Sequence, residues 1–266
     1  MEINQTKPAN HSKQYKESLT KIKIMKKLNL IGVSTILILL LLNIGCKKDD
    51  ETQPENQDPK VFTVETVSVP EAMSQSNDPG AQQTASYMNM MNSMAGYGSM
   101  MIPPDKSSSL NLKDGETEII TWEFNEDGNN YSVKLKITET STYIKWEMII
   151  SGMLDGHQLN NFTYLMAMEN KDGSGSSFTV YDFENRGDIL MTMNWYESGG
   201  TTYFTFEVPE DILITMQVAA DGSGELELKE WQNGAYVLDF RAVWDASGHG
   251  EAWDYDNGEI FDHTEW

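Results

Sequence analysis

Cysteine is almost missing from this chain: Cys46 stands alone among 266 residues. No disulfide can form within the chain, so a folded body here rests on its apolar core. Basic residues are scarce as well, and unevenly placed. Of 19 Lys and Arg, seven precede Cys46, as do only two of the 41 Asp and Glu, which leaves 12 bases against 39 acids beyond it and a formal charge of −27. A surface of that sign repels phosphate backbones, and nucleic acid is excluded as a partner. Histidine beyond Cys46 is limited to His157, His249 and His263, and nothing around them reads as a zinc motif or an activated serine. The acidity comes without depletion of aromatic or β-branched residues, so it is not the signature of a disordered tail.

What is present begins with an address. Lys26 and Lys27 precede an apolar run from Leu28 to Leu42, and Asn43-Ile44-Gly45-Cys46 follows. A basic start, an apolar centre and a small residue before a cleavage point make a secretory signal. The stretch resembles a bacterial lipoprotein signal, whose lipobox ends in a small residue and the acceptor Cys, with Asn43 standing where Leu is usual. The resemblance implies cleavage after Gly45, acylation of Cys46 with palmitate-like chains, and a lipid anchor in the outer membrane of the cell envelope. Lys47-Lys48-Asp49-Asp50 resembles the tag that follows the lipidated Cys in surface-exported lipoproteins of the Bacteroidota, which tips the expected side toward the cell surface over the periplasm. Met25 also starts a signal of ordinary length, so residues 1–24 read as an upstream extension. The alternative is an uncleaved anchor, since the run from Leu28 to Ile44 is of marginal spanning length.

Residues 46–60 are the lipidated Cys and a polar tether with Pro54 and Pro59. Residues 61–266 then form a single β-rich domain. Val61 to Val69 is a first strand or an extended lead-in. Ser76-Asn77-Asp78-Pro79 starts a helix. Ala81, Thr84, Ala85, Met88, Met91, Asn92 and Ala95 recur at three- and four-residue spacing, and Gly96 and Gly98 end it, so helix is expected over 78–95. From Glu116 the period becomes two. Tyr131, Val133, Leu135 and Ile137 alternate with Ser132, Lys134, Lys136 and Thr138, and Ile212, Ile214, Met216 and Val218 alternate in the same way. Turn dipeptides punctuate the region: Asp127-Gly128, Asp155-Gly156, Asp172-Gly173, Gly199-Gly200, Asp221-Gly222, Asn233-Gly234 and Asn257-Gly258. The expected fold is all-β, a long antiparallel meander of about a dozen strands curled into an open or closed barrel, with one N-terminal amphipathic helix.

One register is specific enough to state. A three-residue loop Gln232-Asn233-Gly234 places Leu228 opposite Leu238, Leu226 opposite Phe240 and Glu225 opposite Arg241, whereas a two-residue loop would oppose Leu228 with Asp239. A weak repeat supports the meander: Asp172-Gly173-Ser174-Gly175, Asp221-Gly222-Ser223-Gly224 and Asp245-Ala246-Ser247-Gly248 each separate strand-like runs. This resembles the Trp-bearing hairpins common in small Bacteroidota lipoproteins of unassigned role. At the level of fold, a helix beside a curled meander also resembles Lol-type carriers and lipocalins, which proves no activity.

Candidate chemistry is sparse. Met88, Met90, Met91, Met94, Met100 and Met101 offer thioethers of the kind that select Cu(I), but no His or Cys joins them, and core filling accounts for them. Asp254, Asp256, Asn257 and Glu259 offer oxygens for Ca²⁺, yet their spacing is not that of an EF-hand, and Asn257-Gly258 is a hairpin turn. His249 and His263 are expected near each other on the last hairpin with Glu251. Trp122, Trp146, Trp195, Trp231, Trp244, Trp253 and Trp266 lie mostly in strands, where they fill the core or, if exposed, stack on sugar rings. No carboxylate spacing favours a glycosidase pair. The reading is a non-enzymatic binding or interaction module, monomeric, without metal or cofactor, that takes a protein partner or an apolar small molecule in the barrel mouth. The alternatives are a structural envelope lipoprotein without ligand, and an integral outer-membrane barrel, against which the charged strands near Asp262 argue. Cys46→Ser tests the address: it should abolish incorporation of labelled fatty acid and leave unprocessed precursor, and unchanged labelling overturns the lipoprotein reading.

Overall fold

The computed structural model describes residues 62–102, 115–126 and 129–266, all within Pro54–Trp266, one of two compact units of the chain. The expected signal segment and tether, Cys46 and the Asp127-Gly128 dipeptide lie outside the described residues. Among the described residues three helices come first: α1 (Glu71–Gln75), α2 (Pro79–Ser93) and α3 (Ala95–Met100). Twelve strands follow: β1 (Thr117–Glu126), β2 (Asn129–Glu139), β3 (Tyr143–Leu154), β4 (His157–Asn170), β5 (Ser176–Tyr181), β6 (Ile189–Ser198), β7 (Thr201–Val208), β8 (Ile212–Ala219), β9 (Gly224–Gln232), β10 (Ala235–Trp244), β11 (Gly250–Asp256) and β12 (Glu259–Glu265). They make one antiparallel sheet in strict sequence order, open, with β1 and β12 as its edges.

The alternation of period two sorts the side chains. Along β2, Tyr131, Val133, Leu135 and Ile137 are buried on the inner face while Lys134, Lys136 and Thr138 lie outward. Directly paired residues share a face, so Leu135 continues the inner face to Met148 on β3, Leu165 on β4 and Val180 on β5. The outer face carries ion pairs and threonines, with apolar side chains such as Ile119 and Met168 among them: Glu147 accepts from Lys136 at 2.9 Å and Lys145 at 2.8 Å, and Thr205 pairs with Thr215 across β7 and β8.

The N-terminal segment covers the apolar face. Residues 62–69 form an extended lead-in rather than a strand, clamped where the Val67 N–H donates to Asn92 Oδ1 at 2.9 Å and Asn92 Nδ2 donates to the Val67 carbonyl at 2.8 Å. Phe62 then sits between Trp146 of β3 (5.3 Å between ring centres) and Trp195 of β6 (5.6 Å). Asp78 caps α2 by accepting from the N–H groups of Gly80 and Ala81. Its Oδ1 also accepts from Thr264 Oγ1 at 3.0 Å, which ties the helix start to β12. At Gly80 a side chain would meet Thr264 Oγ1 at 2.4 Å and the Ala252 methyl at 2.7 Å, so the helix approaches the sheet as closely as a bare backbone allows. Farther along, Tyr87 packs on Phe240 and Tyr97 on Phe178.

Two expectations need correction. The helix over 78–95 ends at Ser93, and the chain, instead of stopping at Gly96 and Gly98, turns helical again through both as α3. Gly98 is not a terminator: a Cβ there would lie 3.0 Å from the Phe62 carbonyl, so the residue is small to admit the lead-in. The β9–β10 loop is Asn233-Gly234 alone, with φ of 52° and 90°, and Ala235 faces Gln232. Two positive φ values match the twist of a hairpin, and this outweighs the pairing of leucines. A bulge at Asp239 then puts Phe240 opposite Leu228 and Arg241 opposite Glu227, so Leu226 and Glu225 face Ala242 and Val243. Glu225 and Arg241 still meet, on the diagonal.

Of the methionines singled out above, Met88 (0 %), Met91 (1 %), Met94, Met100 and Met101 are buried, and Met90 is half-buried. Changing Met88 and Met91 to Ala should each cost ~2–5 kcal/mol of stability, and changing them to Leu less than ~1.5 kcal/mol, read by chemical denaturation. A large loss of Cu(I) affinity at unchanged melting temperature would instead make them ligands.

Candidate functional site

The last three strands carry the densest group of chemistry-bearing side chains on the outer face. The β11–β12 turn is Asn257-Gly258, with φ of 53° and 82°. Asp256 pairs with Glu259 and Tyr255 with Ile260, and a bulge at Phe261 then moves the register by one. Beyond it Asp254 faces Asp262, Trp253 faces His263, and Glu251 faces Glu265. Without that extra residue the turn geometry would set Glu251 opposite Thr264 and send Glu265 to the other face.

Two parallel rows result. In the first, Arg241, Trp253 and His263 are direct neighbours on β10, β11 and β12. The imidazole lies flat on the indole, with ring centres 5.2 Å apart and planes 9° from parallel. The guanidinium stands 5.7 Å from the centre of the same indole, a cation–π contact. Arg241 is itself held, its Nε 2.7 Å from Glu225 Oε1. The second row runs Val243, Glu251, Glu265. His263 Nε2 lies 3.2 Å from Glu251 Oε2, which joins the rows. The ligating atoms of Glu251, His263 and Glu265 all fall within 4.8 Å of one another, and all three side chains face solvent. An imidazole and two carboxylates so arranged can bind a cation.

The other candidates separate. His249 is not part of this trio: it lies on the β10–β11 loop with its Nδ1 3.2 Å from the Trp266 carbonyl. His157 sits at the β3–β4 turn with its ring edge on Phe183. Of the oxygen set, Asp254 pairs with Phe240 and so turns to the inner face, while Asp256, Asn257 and Glu259 form the exposed turn, where Asn257 Nδ2 donates to Asp256 at 3.1 Å. Glu265 was not singled out from the sequence, because no pattern announces the bulge that brings it across from Glu251.

The tryptophans divide. Trp146, Trp195 and Trp244 are buried, Trp231 is exposed, and Trp122, Trp253 and Trp266 are half-buried. Two of them seal repeat loops: the Trp244 indole N–H donates to the Gly222 carbonyl at 2.9 Å, and that of Trp266 to Gly248 at 2.6 Å. In each loop an Asp accepts from the N–H of the Ser two residues on, at 2.9 Å for Asp172, 3.0 Å for Asp221 and 2.8 Å for Asp245. Hydrogen bonds from those serines hold the three carboxyls below the usual range. These are turn-closing devices.

Trp231 stands edge-on to Tyr236 at 5.0 Å, and the Tyr236 hydroxyl donates to Glu207 Oε1 at 2.9 Å. Desolvation first, then the bond to and charge of Glu207, push this phenol up from 10.0 to about 12. No family model, curated protein or solved structure matches this chain.

The Tyr236 contact makes a pH prediction. A phenol raised in the folded state contributes stability that is complete below its unfolded value of 10.0 and is lost as pH rises through about 12. Ultraviolet titration of Glu207→Gln should show one tyrosine ionising earlier than in the wild type, and an unchanged curve would mean that Glu207 does not hold it.

Proposed function

We propose that this chain is an envelope lipoprotein: acyl chains on Cys46 hold a water-facing, non-enzymatic β-body at the outer membrane, where its outer face binds a partner. The observation that supports this is the partition of the sheet. Its apolar residues turn inward beneath α2 and the lead-in, and its outward face carries Lys136–Glu147, Arg241–Glu225 and rows of threonine. Among the described residues no helix is long and apolar enough to cross a membrane, and the strands turn charge outward, so attachment falls to another part of the chain. The Gly45-Cys46 junction behind its apolar run is suited to that task.

Binding on the outer face is favoured over an apolar ligand in the sheet's mouth. The inner face that such a ligand would use is taken by Phe62, Tyr87, Met88, Met91 and Tyr97 of the N-terminal segment, five side chains packed on or against it. The site on β10–β12 is open to solvent and rich in aromatic and charged groups, which are the materials of recognition surfaces.

The test separates this reading from an integral barrel. Residues 61–266, expressed without signal or Cys46, should elute from a sizing column as a monomer with no detergent. The same segment, mixed with membranes, should be removed from them by carbonate. Elution in the void volume with recovery only in micelles, or carbonate-resistant membrane binding of residues 61–266, overturns the proposal.

A further inference from the structure

We infer that Glu251, His263 and Glu265 form a surface site for a divalent transition-metal ion of the Zn²⁺ type. One imidazole nitrogen and two carboxylate oxygens are a donor set that Zn²⁺ accepts, and the imidazole favours it over Ca²⁺ or Mg²⁺. The donor atoms lie within 4.8 Å of one another. Three points at that spacing sit ~2.8 Å from their common centre, against ~2.0–2.2 Å for bound Zn²⁺, so shifts of under ~1 Å close the site. Both glutamates face solvent, which leaves room for such shifts.

Two further features set these residues apart from an ordinary acidic patch. The first is that His263 is held in place: the parallel indole of Trp253 supports its ring, and Nε2 points at Glu251. Orientation of a ligand imidazole by surrounding groups is what raises metal affinity at a built site. The second is that Glu251 and Glu265 are direct cross-strand partners, the like-charge arrangement that a sheet disfavours. Neither has a Lys or Arg partner among the described residues, whereas Glu225 two strands away has Arg241. A divalent ion supplies the missing positive charge. The chain's charge of −22 adds to the attraction of cations at long range. Bound water, or a donor from a partner molecule, completes the coordination, so the site can also bridge to a second protein.

The experiment uses the purified full-length chain, stripped with chelator and titrated with Zn²⁺ by calorimetry. One equivalent should bind, and His263→Ala and Glu265→Gln should each weaken binding by more than about tenfold. Glu259→Gln, an acid on the same hairpin outside the trio, should leave the affinity unchanged. Circular dichroism confirms that each variant is folded, and if His263→Ala is not, the shift of the His263 ring resonances on adding Zn²⁺ to the wild type replaces it. Absence of stoichiometric binding, full affinity in His263→Ala, resonances that do not move, or equal weakening by Glu259→Gln each overturn the proposal. So does Ca²⁺ binding as tightly as Zn²⁺. None of these outcomes depends on whether Cys46 is acylated.

Discussion

A twelve-stranded meander has one face that must avoid water, and in a chain with a single cysteine no disulfide within the chain can hold that face covered. The cover is the segment from Phe62 to Ile102. Its contacts run from Ala252 and Thr264 beside Gly80, through Phe240 under Tyr87, to Phe178 under Tyr97 and the two indoles around Phe62. Asp78 acts twice in this arrangement, as the cap of α2 and as acceptor for Thr264. Residues far apart in sequence therefore depend on one another: the last strand is held by the first long helix. Flexible methionines suit this interface because they fill the uneven gaps between a helix and a pleated surface.

The outer face follows from the same constraint. Once every second strand residue is committed inward, the remainder meet solvent, and there the few bases are matched to acids: Lys136 and Lys145 with Glu147, Lys229 with Glu227, Arg241 with Glu225. Exposed pairs of this kind contribute little to stability. Their effect is to leave certain acids without a basic partner, and the Glu251–Glu265 pair on the β11–β12 hairpin is such a place.

Much of the fold was legible in the residues. Alternation along Tyr131–Ile137 and Ile212–Met216 named the buried side chains, and the Gly-containing dipeptides marked the turns. Asp78-Pro79 marked the start of α2, and the three- and four-residue spacing picked out Met88 and Met91 as core. These signals are local, set by the pleat, the helical period and the tolerance of Asn and Gly for positive φ. Legibility failed where a distant neighbour intervened. Gly96 and Gly98 have the look of a helix end, yet Gly98 is small because the Phe62 backbone passes beside it.

By itself the sequence determined an acidic chain, all-β after one principal helix, without disulfides, with a signal-like run ending at Cys46, and with particular strand residues inside. Tertiary structure decided that the sheet stays open, that the N-terminal segment occupies its inner face, and which polar residues meet outside. The bulges at Asp239 and Phe261 are the clearest case. Each inserts one residue, and because side chains alternate with a period of two, one residue reverses which face every later side chain takes. No local pattern in residues 235–266 announces either bulge. Each is set by the fit of a whole strand to its neighbours, and through them Arg241, Trp253, His263, Glu251 and Glu265 come to share one surface.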